Sequence, residues 1–184
     1  MEVQNSILQI EREAARIAFG QPVLMNTFRA VVVEAIVAQG LGDRWRHCSS
    51  NFHPFDFERD DGIALEVKQS AARQSWAVEG DRASRSIFDI RERTGRYEGP
   101  SWVPARRRWA DIYVFAHHPR TDASTDHRDP RQWHFYVAPA AILPFQNTLG
   151  LKNVIALSSQ ADFFGLGSMV ECAAASVIAT SSNH

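Results

Sequence analysis

Lysine is almost missing from this chain. Two lysines, Lys68 and Lys152, stand against 18 arginines in 184 residues. Surface positive charge is therefore carried by arginine. A lysine inside an alternating segment, as Lys68 is, marks a position suited to a compact ammonium rather than a planar fork. Cysteine is equally scarce. Cys48 and Cys172 lie far apart with no metal-ligand spacing, which excludes a disulfide framework and reads as reduced thiols in a cytoplasmic protein. No apolar run approaches the roughly 20 residues of a membrane span. The first stretch, MEVQNSILQIEREAARIAF, carries acids and lacks the basic-then-apolar order of a secretory leader. Neither a membrane nor secretion is expected. There is no Gly-x-Ser-x-Gly elbow, phosphate-cradling glycine loop or dinucleotide fingerprint, so acyl transfer, nucleotide hydrolysis and nicotinamide chemistry have no support. His117, His118, His127 and His134 match no zinc spacing. A net charge of -1 excludes a generally basic nucleic-acid binder.

The composition is that of one soluble domain, 1–184, with 45% apolar and 22% charged residues and enough chain for a core. Helical spacing is expected over 3–19, ended by Gly20 and Pro22, and over 27–39, with Asn26 or Thr27 as N-cap and Gly40 as stop. A short edge strand is expected over 44–49, leading into Phe52. A buried strand is expected over 109–117, another over 132–139 and a third over 153–157. Short helices are expected near 84–93 and 139–146, a loop over 95–108, and an apolar terminal helix over 163–179. The order implies an α/β fold with a mixed central sheet flanked by helices.

The stretch that carries chemistry is Pro54 to Ala71, PFDFERDDGIALEVKQSA. Ile63, Leu65 and Val67 alternate with Ala64, Glu66 and Lys68, so period two puts Glu66 and Lys68 on one face. Asp60-Asp61-Gly62 suits a three-residue hairpin loop with Gly62 left-handed. That loop pairs Arg59 with Ile63, Glu58 with Ala64 and Asp56 with Glu66. A four-residue loop would instead place Asp56 opposite Leu65. In the three-residue register Asp56 and Glu66 are cross-strand neighbours about 5 Å apart. Two carboxylates that close repel, and a shared cation relieves the repulsion. Further upstream, Glu34 lies inside the apolar run Ala30–Ala38, where an unpaired carboxylate is costly. It either serves a site or sits at the helix boundary with water or an arginine.

An Asp, a hairpin and then Glu-x-Lys resembles the PD-(D/E)XK nuclease superfamily, the restriction endonuclease-like fold. The matching residues are Pro54-Phe55-Asp56 and Glu66-Val67-Lys68, with one residue between the proline and the aspartate. The resemblance implies a metal-dependent endonuclease, most simply one acting on DNA in restriction, phage defence or repair. It implies that Asp56, Glu66 and the Val67 backbone carbonyl hold Mg²⁺ or Mn²⁺. Lys68 would then act on the attacking water, and Glu34 would complete or support the metal shell. Oxygen donors and a phosphate substrate favour these hard cations over zinc. A homodimer would suit cutting both strands of a duplex, with the terminal helices as candidate interfaces, and a defence or repair partner protein is compatible. The alternative is a catalytically silent nuclease-like domain acting as a nucleic-acid-binding or assembly module.

A nucleic-acid surface has weaker signals. From Arg82 to Arg108 there are eight arginines against three acids, a patch able to follow phosphates or simply to line a solvated loop. Arg106, Arg107 and Arg108 are its densest run. Ser70 and Arg73, just beyond the lysine, are candidate phosphate or base contacts. Gln69 is a possible helper, although alternation points it to the opposite face. Asp111, at the head of an apolar strand, is expected to pair with an arginine or to sit at the rim of the site.

Overall fold

A computed structural model of the chain describes residues 2–48, 53–78 and 80–181, with side chains described from residue 6 to 180. Ser49 and Phe52, expected to lead into the hairpin, lie outside the described residues.

The chain begins with two helices, α1 (Glu2–Phe19) and α2 (Asn26–Gly40). On α2, Val33, Ile36 and Val37 repeat at helical spacing and are buried. Gly40 is the last helical residue rather than the stop beyond it, and the N-cap is Met25 with no side-chain cap hydrogen bond. Asn26 is instead the first helical residue, and its side-chain oxygen accepts from Arg29.

The strands that follow are β1 (Trp45–His47), β2 (Phe57–Arg59) and β3 (Ala64–Ala71), and later β7 (Ile112–His118), β8 (His134–Pro139) and β10 (Gln160–Ala161). They form one six-stranded sheet in the order β1-β2-β3-β7-β8-β10. β3 and β7 run parallel and the other neighbours antiparallel, so the sheet is mixed. Every residue of β7 is buried, as its apolar sequence requires of a central strand. Asp111 locks the head of the parallel pair. Its side chain accepts from the Ala64 N–H at 2.9 Å, and its own N–H donates to the Ala64 carbonyl at 2.8 Å. This explains the odd acid without an arginine.

Each face of the sheet has its own core. On one face Phe57, Leu65, Ile112, Val114 and Phe135 pack against Val33 and Val37 of α2 and Leu166, Val170 and Ala174 of the terminal helix α4 (Phe163–Ser181). On the other, Tyr113, Phe115 and Tyr136 pack against Phe88, Leu149 and Val154. Those three come from β4 (Ile87–Asp89), β9 (Thr148–Gly150) and α3 (Leu151–Leu157), with β4 and β9 paired antiparallel. By length and composition alone, Phe163–Thr180 of α4 is long and apolar enough to cross a membrane, with mean hydropathy 1.5, although it holds no single unbroken apolar run. Its Leu166, Val170 and Ala174, spaced four apart, are fully buried against the sheet.

Three sequence expectations need correction. The helix expected near 84–93 is β4, whose Phe88 inserts into the second core while Ile87 and Asp89 stay exposed, a period of two. The loop expected over 95–108 is a hairpin of β5 (Arg93–Glu98) and β6 (Ser101–Arg107). Gly99, at φ +59°, and Pro100 form its two-residue turn, with the glycine at the first central position as a type II′ turn demands. The strand expected over 153–157 is helix α3, which buries Val154 alone and exposes Ile155. The 139–146 helix is a single short turn, Ala140–Ile142.

Candidate active site

The hairpin of β2 and β3 takes the three-residue register. Phe57 pairs with Leu65 and Glu58 with Ala64, the Arg59 N–H donates to the Ile63 carbonyl at 2.8 Å, and Gly62 adopts φ +87°. Asp56, one residue before β2, donates its N–H to the Leu65 carbonyl at 3.0 Å. Its side chain then turns back, and Oδ2 accepts from the Val67 N–H at 2.7 Å. The expected Asp56–Glu66 cross-strand pair is thus not part of the ladder, which ends at Phe57–Leu65; Asp56 closes it with its carboxylate on Val67, the residue that precedes Lys68.

Glu66 and Lys68 lie on the sheet face opposite α2 and α4, in parallel register with Tyr113 and Phe115. Lys68 Nζ donates to Glu66 Oε1 at 2.5 Å, and Arg93 Nη2 reaches the same oxygen at 3.2 Å. Glu66 is 3% exposed. Its second oxygen, Oε2, is buried and has no hydrogen-bond partner. A carboxylate oxygen in that state has lost water and gained nothing, a cost of about 1–3 kcal/mol or more for a charged group. Asp56 shows the matching stress. Burial, then the charge of Glu66, push its pKa up to about 7, with Glu34 adding to the rise. Tyr113, across the strand pair, is also raised, by burial first and then by Glu66.

Glu66, Lys68 and Tyr113 open into a cavity of about 280 Å³ also lined by Pro54, Asp89, Arg91, Arg93, Arg108 and Trp109, while Asp56 lies behind its wall, bonded to the Val67 N–H. The fold therefore gathers Asp56, Glu66 and Lys68. Glu34 sits on α2, which covers the other face, and its Oε2 lies 2.9 Å from His47 Nε2. It reaches the pair through its charge on Asp56. Among the described residues no group of three or more His, Cys, Asp or Glu side chains is clustered as a metal-holding set. The oxygen donors near the cavity are Asp56, Glu66, main-chain carbonyls and Asp89, which lines the cavity and pairs with Arg91 at 2.9 Å.

The other predicted residues are spread more widely. Gln69 faces α2, accepting from Arg29 Nε at 2.6 Å and donating to Asn26 Oδ1 at 2.9 Å, so it holds helix to strand. Ser70 is buried. Arg73 donates to the Asp122 carbonyl at 2.6 Å. Arg106 pairs with Glu92 at 3.3 Å. Arg107 lies over the Trp109 ring, 3.8 Å from its centroid. Arg108 donates to the carbonyls of Ile90, Leu143, Pro144 and Gln146, stapling the hairpin root to the loop after β8. Of the three, only Arg108 lines the cavity.

Arg93, Arg91 and Tyr113 were not singled out from sequence. Tyr113 is placed by parallel register, a long-range pairing with no local signature. Arg93 was visible only as one arginine of eight. No protein-family model matches the chain, and no curated protein matches it.

Proposed function

We propose that the chain is a metal-dependent endonuclease that hydrolyses phosphodiester bonds, in DNA, with a nuclease-like site at Asp56, Glu66 and Lys68. The observation that carries this reading is the unpartnered, buried Oε2 of Glu66 beside Lys68, on the strand next to Asp56. Hard oxygen donors with an unsatisfied lone pair fit Mg²⁺ or Mn²⁺. Asp56, Glu66 and the Val67 carbonyl would hold the ion, with Glu34 supporting them through Asp56. When bound, it would supply a low-pKa water and neutralise charge on the phosphate.

The chain's own residues do the rest. Lys68, 26% exposed at its side chain, is tethered by Glu66 and open to the cavity, so its ammonium is held where an attacking water and a developing oxyanion need a positive partner. Arg93 and Arg91 line the same wall and suit the phosphate's other oxygens. A restriction, phage-defence or repair setting, a cytoplasmic location and a homodimer belong to the same reading.

A second reading has one observation in its favour. Lys68 and Arg93 already neutralise one oxygen of Glu66. A silent nuclease-like module that binds nucleic acid would keep such a closed ion cluster. Nicking of supercoiled plasmid with Mg²⁺ or Mn²⁺ separates the two. The nuclease reading expects metal-dependent nicking that Lys68→Ala lowers by at least about a hundredfold, the scale of losing one charged transition-state contact. Equal nicking by both proteins would remove Lys68 from the site, and binding without nicking would favour the silent module.

A further inference from the structure

The β5–β6 hairpin stands beside the cavity and exposes aromatic rings. Tyr97 and Trp102 are cross-strand partners, 51% and 49% exposed, with ring centroids 5.2 Å apart in an edge-to-face arrangement. Trp102 lies across the backbone of Gly95. A β-carbon at Gly95 would fall 2.5 Å from the indole ring, so the glycine is what lets the indole lie down on the strand. A second cavity of about 380 Å³ runs along this face, lined by Gly95, Tyr97 and Trp102. It shares Pro54, Arg91 and Arg93 with the cavity of Glu66 and Lys68. Arg91 and Arg93 are 63% and 47% exposed at their side chains.

We propose that this hairpin is a grip for unpaired nucleotides: Trp102 and Tyr97 stack on bases while Arg91 and Arg93 carry the adjoining phosphates toward Lys68. The proposal deepens the nuclease reading and rests on it for the direction in which the strand runs. The substrate class it names is a single strand, or the unpaired end of a duplex. Bases inside a duplex are stacked on each other and offer no face to an exposed indole, whereas a single strand offers one at every nucleotide. The arginines supply the charge complement that rings alone lack.

The test is binding to the full-length chain, in EDTA so that no cleavage occurs. Fluorescence anisotropy would compare an oligo-dT of about 16 nucleotides, the upper range for one such surface, with a blunt duplex of equal length. Wild type is expected to prefer the single strand. Trp102→Ala is expected to weaken oligo-dT binding about tenfold and Trp102→Phe to keep most of it. Oligo-dT should also quench wild-type tryptophan fluorescence, and Trp102→Phe should lose that quench while folding as wild type by far-UV circular dichroism. Preference for duplex, unchanged oligo-dT affinity in folded Trp102→Ala, or an equal quench in Trp102→Phe would each overturn the grip. Plasmid nicking keeps the two readings apart. A chain that nicks but binds oligo-dT without Trp102 loses the grip and keeps the nuclease. One that binds through Trp102 but never nicks keeps the grip and loses the nuclease.

Discussion

Arg29 is a buried cation held by neutral groups. It is 2% exposed, and its guanidinium donates to Gln69 Oε1, Gln74 Oε1 and Asn26 Oδ1 at 2.6, 3.1 and 2.8 Å. Burial lowers its pKa to about 10, which still leaves it charged at neutral pH. The planar fork is what satisfies three amides at once, and an ammonium cannot copy that geometry. Arg29→Lys is therefore expected to destabilise the fold by about 2–4 kcal/mol, nearly as much as Arg29→Ala, through the acceptors left unpaired. Urea unfolding measures both, and a lysine variant as stable as wild type would show that charge alone is needed. At Glu66 the unsatisfied Oε2 makes a different prediction. Millimolar Mn²⁺ should raise the melting temperature of wild type. A concentration about 100 times Kd stabilises by roughly 2.7 kcal/mol, or about 5–10 °C for a chain of this size. Glu66→Gln should lose that rise, which calorimetry reads independently of activity.

At the scale of elements, two close approaches decide the packing. α2 and α4 cross where a β-carbon on Gly167 would fall 2.4 Å from the Gly40 carbonyl oxygen. Backbone cannot yield as a flexible side chain does, so Gly167→Ala must push the helices apart. The expected cost is about 1–3 kcal/mol, read as a lower denaturation midpoint. The β2–β3 loop depends on Gly62 at φ +87°, with nothing within 4 Å of a would-be β-carbon. Strain, not crowding, is the penalty there. Gly62→Val should cost about 1–2 kcal/mol and lower the melting temperature by a few degrees. The same loop sets the Phe57–Leu65 and Glu58–Ala64 register, beyond which Asp56 reaches the Val67 N–H, so its turn chemistry belongs to the site as much as to the fold.

At the scale of the molecule, the buried histidines set the acid limit of stability. His127 Nδ1 accepts from the Leu24 N–H at 3.0 Å, so the folded ring is neutral. Burial lowers its pKa to about 3, and that of His117 to about 4. An unfolded histidine titrates near 6.5. Because the folded values lie below the unfolded one, the unfolded chain takes up protons first as pH falls. Stability is complete above about pH 6.5 and declines from there toward pH 3–4, by about 2 kcal/mol per ring at pH 5. Asp56, raised to about 7, acts in the opposite sense, since acid protonates it more readily in the folded state. His127→Gln isolates one ring. Its loss of unfolding free energy between pH 7 and pH 5 should be about 2 kcal/mol smaller than that of wild type, and parallel pH profiles would contradict the assignment.

The sequence alone determined what local physics controls. Alternation put Glu66 and Lys68 on one face, Asp60-Asp61-Gly62 chose the loop and hence the register that pairs Glu58 with Ala64, and the apolar run Ile112–Phe115 marked a central strand. These follow from period, turn chemistry and burial, all read within a few residues. Only the tertiary structure decided what depends on partners far along the chain. The run 153–157 and the stretch 84–93 are short, and whether a short apolar piece becomes strand or helix is settled by the surface it meets. Phe88 meets the second core as a strand, and Val154 meets it as a helix. Arg93 and Tyr113 reach Glu66 through an ion pair and a parallel pairing that span 27 and 47 residues, as the numbering shows, and such pairings leave no mark on the local pattern.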